Sequence, residues 1–152
     1  MEIERKYLVE SLPANLDDYS HVEIEQAYLC TSPTVRVRRM GDEYWLTIKE
    51  RVHTDSNAIH NREEEFHLSA AAYRRLRAKC EGRPVLKTRY RIPLGDGLTA
   101  ELDIFHGEHD WLQLVEVEFP DTDAADSFVP PDWFGADVSA NPLYRNSTLA
   151  GI

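Results

Sequence analysis

The stretch MEIERKYLVE, Met1 to Glu10, decides how the rest of the chain is read. Taken by twos, it puts Glu2, Glu4 and Lys6 on one side and Ile3, Arg5, Tyr7 and Val9 on the other. Such alternation belongs to a β-strand, whose successive side chains project to opposite faces. A charged face ordinarily looks at water, and for one strand that account is sufficient. The fold turns on whether other strands repeat the pattern.

Period-two segments recur over 2–9, 22–30, 34–40, 43–50, 60–68, 84–92, 98–105 and 112–119. Turn-forming MGDE (40–43), LGDG (94–97) and FHGEHD (105–110) separate several of them. Arg36 and Arg38 share a face. So do Lys49, Trp45 and Thr47, then Glu63, Glu65 and His67, then Lys87, Arg89 and Arg91, then Glu101 and Asp103, and then Glu116 and Glu118. The alternate faces carry Val35, Val37, Leu46, Ile48, Phe66, Leu68, Leu86, Ile92, Leu102, Ile104, Val115, Val117 and Phe119. That apolar surface requires cover from helices, a second subunit or both.

Helices are few. SAAAYRRLRAKCEGRP offers Ser69 as N-cap, a stripe of Tyr73, Leu76 and Cys80, and a stop at Gly82 and Pro84. A short helix is expected over 121–128. Another is expected from Asn141 as N-cap, with Pro142 in the first turn, through Leu149. Eight antiparallel strands without a βαβ rhythm point to a mainly β, α+β fold, an eight-stranded antiparallel β-barrel with a few covering helices.

The chain has 152 residues, one domain's worth, and a net charge of -10. That charge opposes general nucleic-acid binding. No apolar run reaches membrane-spanning length, so no membrane partner is expected. Cys30 and Cys80 form no CxxC or Cys/His cluster and read as free thiols, which points to the cytoplasm.

The charged faces are sorted by sign: ExE, RxR, ExE, KxR, ExD and ExE, each pair two residues apart. Unit charges ~4 Å apart interact by about 4 kcal/mol at an effective dielectric near 20. A set of strands that repeats like-charge pairs therefore calls for something between them. Paired acids suit divalent metals, and paired bases suit a multiply charged oxyanion. Together they suggest a metal-bound phosphate chain inside a barrel with a polar lumen, and eight strands leave room for one slim ligand.

In order along the chain, EIERK (2–6), RVR (36–38), TIK (47–49), EEE (63–65), KTRY (87–90), ELD (101–103) and EVEF (116–119) resemble the signature of the CYTH superfamily, the triphosphate tunnel metalloenzymes. The likeness covers nearly the whole chain. The YL at 28–29 and the PPDWFG of 130–135 are most similar to the short bacterial inorganic tripolyphosphatases. The resemblance implies a single CYTH domain over 1–152 and a closed or cleft-like tunnel that binds a triphosphate. It implies metal-binding acids at Glu2, Glu4, Asp103, Glu116 and Glu118. Phosphate-binding bases fall on Lys6, Arg36, Arg38, Lys49, Lys87 and Arg89, with Glu63, Glu65 and Glu101 in support. Lys6 and Tyr28 match a lysine–tyrosine pair implicated in proton handling, with Lys6 held near its neutral form by neighbouring cations.

Oxygen ligands suit Mg2+ or Mn2+, two ions being expected, and no His/Cys set suits Zn2+. The expected reaction is hydrolysis of tripolyphosphate to pyrophosphate and phosphate. The alternatives are a class IV adenylate cyclase, a thiamine or nucleoside triphosphatase, and a polyphosphate-binding sensor without turnover. A homodimer is expected from the uncovered apolar faces. FHGEHD reads as a polar turn and not a metal clip. Trp45 reads as a cap on the lumen or a platform for a base.

Overall fold

The computed structural model describes residues 1–152. Its strands are β1 (Glu2–Val9), β2 (Ser20–Thr31), β3 (Thr34–Met40), β4 (Glu43–Arg51), β5 (Ile59–Leu68), β6 (Glu81–Gly95), β7 (Leu98–Phe105), β8 (Gln113–Glu118) and β9 (Phe134–Asp137). They pair in the order β5-β4-β3-β2-β6-β7-β8-β1-β9, and β1 also pairs with β5. That last pairing closes eight antiparallel strands into a barrel. The eight expected strands are all present, with β2 and β6 longer than the alternation suggested.

One edge of β1 is shared. Glu2, Ile3 and Glu4 lie opposite Asn61, His60 and Ile59 of β5, while Tyr7 and Val9 lie opposite Asp137 and Phe134 of β9. The sequence reading missed β9, a short strand straight after two prolines and a tryptophan. Lys6 sits at the changeover. Its N–H donates to Ser139 Oγ at 2.9 Å and its carbonyl accepts from Val138 N at 2.8 Å, so no backbone group is orphaned there.

The helices differ most from expectation. Helix α1 (Ala70–Arg77) starts where Ser69 caps it, its side chain accepting from Ala72 N–H at 3.1 Å, but it stops short of Cys80. Gly82, read as its terminator, is part of β6 at φ +67°, and an added Cβ there would run into the Ala150 carbonyl. Helix α2 (Thr122–Ser127) lies within the expected 121–128, and Asp121 caps it. The last helix is broken. Pro142–Tyr144 form a 3-10 turn under the Asn141 cap, Arg145 is extended, and only Asn146–Leu149 make α3.

The main apolar cluster lies outside the barrel. Tyr7, Ile92, Ala100, Leu102, Val115 and Val117 project from the outer face, and Ala125 of α2, Phe119, Phe128 and Phe134 cover them. A second cluster lies at inward positions: Tyr28, Val85, Phe105 and Leu114, with Leu112, Val138, Leu149 and Ala150 packed on them. These residues are in phase with the charged ones on their strands, so one end of the lumen is filled with hydrocarbon and the rest stays polar. No helix is long and apolar enough to cross a membrane.

Candidate active site in the barrel lumen

The inward positions of the strands enclose a cavity of about 910 Å³. Its wall holds nine glutamates and nine lysines or arginines, so its formal charges cancel although the chain carries -10. A polyanion that arrives with its divalent cations would leave that balance intact. Among the expected site residues, only Asp103 does not line this cavity.

The acids converge at the start of β1. Carboxylate oxygens of Glu2, Glu4 and Glu118 lie within 4.8 Å of one another. Glu4 pairs with Glu118 in the β1–β8 ladder, which sets both on the same inner face. Burial, with Glu116 and Glu2 nearby, pushes the Glu4 carboxyl up to about 8, and burial with Glu2 and Glu101 pushes Glu118 up to about 7. Burial works against the charge of Glu2 as well, but Lys49 outweighs it and holds that carboxyl below its usual range. A trio of mutually repelling oxygens is the donor set a hard divalent cation requires, so the residues fit Mg2+ or Mn2+.

The other two acids are differently engaged. Asp103 is fully buried, 2.8 Å from Lys87 Nζ, and accepts from Arg89 Nε at 2.8 Å and NH2 at 2.9 Å. It anchors two bases and stands apart from the carboxylate trio. Glu116 lies 3.8 Å from Lys6 Nζ. Burial opposes its charge, but Lys6, Arg89 and Lys87 hold its carboxyl far below the ordinary range.

The bases meet further in. Arg36 and Arg38 face the lumen from β3, Lys87 and Arg89 from β6, and Lys49 from β4. Lys49 Nζ sits 3.0 Å from Glu2 and 3.1 Å from Glu63, tying the basic group to the acid trio. Burial, with Arg36 and Arg89 alongside, lowers Arg38 to about 9, and burial lowers Lys87 to about 8 although Asp103 opposes it. The Nε atoms of Arg36 and Arg38 are buried with no partner. Crowded guanidinium groups with unused donors are a ready receptor for phosphate oxygens.

Glu65 accepts from the Thr47 hydroxyl at 3.0 Å, and Glu101 lies 3.0 Å from Arg89 NH1. The Lys6 ammonium lies 3.8 Å from Glu116 and donates to the Tyr144 carbonyl at 3.1 Å. Tyr28 is buried, and no hydrogen bond joins it to Lys6. The Trp45 and His67 rings meet at a tilt of 51° with centroids 3.6 Å apart, and Trp45 lines the cavity.

The reading missed the residues that the C-terminal segment brings in. Asn146 Oδ1 accepts from Lys87 Nζ at 2.9 Å and Gln26 Nε2 at 3.2 Å, while Ser139, Asn141 and Arg145 also line the cavity. No period-two signal marks them, because they lie in a turn after the barrel is complete.

A closed barrel whose lumen pairs a carboxylate trio with a cluster of bases is the class of fold and site that suits a phosphate chain. The comparisons agree with that class. No protein-family model matches the chain. It is 42% identical over 154 residues to an inorganic triphosphatase of Nitrosomonas europaea, covering 98% of this chain and 96% of the relative. It is 35% identical to an inorganic triphosphatase of Acetivibrio thermocellus, covering 97% and 92%. Superposition on the crystal structure of the inorganic triphosphatase NE1496 gives a TM-score of 0.70 at 39% identity, covering 99% and 94%. The PH1012 protein of Pyrococcus horikoshii shares the fold at a TM-score of 0.59 and 20% identity, covering 88% and 94%. The chain belongs to the inorganic triphosphatase family, within the triphosphate tunnel, or CYTH, superfamily.

Proposed function

We propose that this protein hydrolyses inorganic tripolyphosphate to pyrophosphate and phosphate in the barrel lumen, with Mg2+ or Mn2+, two ions in the working complex. The observation that carries this reading is the convergence of Glu2, Glu4 and Glu118 beside bases with unused donors. The trio would hold a cation, with Glu116 at the edge of the group. Bound there, divalent ions supply charge neutralisation for the phosphate oxygens and a more acidic water.

The chain's own residues do the positioning, which is most of what phosphoryl transfer demands. Arg36, Arg38 and Arg89 grip phosphate oxygens through paired N–H groups. Lys6, Lys49 and Lys87 act as point charges. Asp103 keeps Lys87 and Arg89 extended into the lumen, and Glu63 and Glu65 do the same for Lys49 and the β3–β4 wall. Lys6, beside Glu116, serves as a phosphate ligand. Tyr28 donates its hydroxyl hydrogen to a phosphate oxygen.

Phosphate release from tripolyphosphate, ATP, thiamine triphosphate and pyrophosphate, in Mg2+ or Mn2+ and again with a chelator, tests the reading. Tripolyphosphate is expected to be turned over fastest, and chelation to stop it. Cyclic AMP from ATP would make the protein a class IV cyclase. Tight tripolyphosphate binding without phosphate release would make it a sensor. We also place it in the cytoplasm as a homodimer. The exposed Ile48 and Phe66 on the outer wall support dimerisation, and light scattering in solution tests it.

A further inference from the structure

A chain of hydrogen bonds at the floor of the lumen has a direction that the donor and acceptor chemistry dictates. It starts at Lys87, whose ammonium can only donate and does so to Asn146 Oδ1 at 2.9 Å. That contact settles which way the Asn146 amide faces. The same Oδ1 lies 3.2 Å from the Gln26 amide, so Gln26 must present Nε2 and not its oxygen. Nε2 in turn donates to the Tyr28 hydroxyl oxygen at 2.6 Å. The Arg36 guanidinium also faces that oxygen. Tyr28 therefore accepts from its neighbours, no protein acceptor takes its hydrogen, and it lines the cavity.

The arrangement carries a cost, and its neighbours keep it from reversing. Gln26 is fully buried, and its Oε1 has no partner. Turning the amide over would relieve that oxygen only by setting it against Asn146 Oδ1, and Asn146 cannot turn without setting its NH2 group against Lys87. Lys87 is itself pinned by Asp103 at 2.8 Å.

We infer that Gln26 and Asn146 are positioning residues: they hold the Tyr28 hydroxyl as a donor aimed into the lumen, the polarity a phosphate oxygen requires. The inference rests on the proposed role of Tyr28. It gives the C-terminal segment a function in turnover, because Asn146 enters the barrel from outside the eight strands.

The test compares kcat and KM for tripolyphosphate in Tyr28→Phe, Gln26→Glu and the double variant, with thermal melts as a control for folding. A glutamate at 26 has the shape of glutamine but only accepts, so it would draw the Tyr28 hydrogen away from the lumen. Tyr28→Phe is expected to lower kcat about a hundredfold, the usual loss for one aimed donor. Gln26→Glu should approach the same kcat with KM within about twofold, and the double variant should be no slower than either single one. At position 146, Asn146→Asp keeps an acceptor for Lys87 and Gln26 and should retain kcat, whereas Asn146→Leu should lose it. These two variants decide the matter should Gln26→Glu melt below the assay temperature. If Tyr28→Phe keeps full kcat, the donor role of Tyr28 falls and the relay with it. If Tyr28→Phe is slow while Gln26→Glu and Asn146→Leu remain fast, the relay alone is overturned.

Discussion

Glu4 shows how a single side chain can serve function against stability. It is buried among carboxylates, and its ordinary value of 4.5 is pushed up to about 8. With no cation present, its charge is a strain on the fold. Glu4→Gln keeps the shape and removes that charge. The variant is expected to melt higher than the parent protein in chelator and to lose at least about a hundredfold in phosphate release. Melting curves and turnover measured on the same preparation check both halves. A lower melting temperature in chelator would mean that Glu4 is structurally satisfied and the trio is no cation site. The sequence showed Glu2, Glu4 and Glu118 as acids on inner faces, yet it could not separate them from Asp103, which has the same alternation and charge but sits against Lys87 and Arg89.

Two elements depend on contacts between distant parts of the chain. β1 can present Lys6 because β9 takes over its edge where β5 leaves off, and the 137–139 turn holds the junction. Arg5 NH2 lies 2.8 Å from Asp137, and Ser139 accepts the Lys6 N–H. Ser139→Ala leaves that buried N–H unpaired, so a loss of about 1–3 kcal/mol is expected in denaturant unfolding. The C-terminal segment relies on Gly82 in a similar way. Its φ of +67° and the Ala150 carbonyl beside it exclude a Cβ. Gly82→Ala should lift residues 146–150 from β6, destabilise the protein and reduce kcat through Asn146. Hydrogen exchange confined to that segment would show the release. In the sequence, Gly82 reads as a helix stop because glycine marks both helix ends and tight strand contacts. Nothing local distinguishes them.

At the scale of the molecule, charge links folding to cation binding. Glu4 and Glu118 hold their protons to about 8 and about 7, well above the ordinary 4.5. Between those values the folded chain binds more protons than the unfolded one, so stability falls as pH rises. In chelator the melting temperature should decline from about pH 4.5 to about pH 8, and added Mg2+ with tripolyphosphate should raise it most at the alkaline end. A flat profile would show that the trio does not strain the empty barrel. The eight strands and the polar lumen were legible from alternation, because a strand's period of two leaves no freedom about which side chains share a face. The apolar plug was not, since Phe105 and Leu114 hold inward positions that look like any other place in a strand.

Alternation and sign alone assigned the site's charged residues to one surface and pointed to that surface being internal, because like charges so close together repel unless opposite charge lies between them. The closure of β1 on β5, the splitting of the acids into a trio and an anchor, and the arrival of Asn146 were decided by tertiary structure. Each depends on distances between residues far apart in the chain, and these are set by barrel register and by the path of the C-terminal segment.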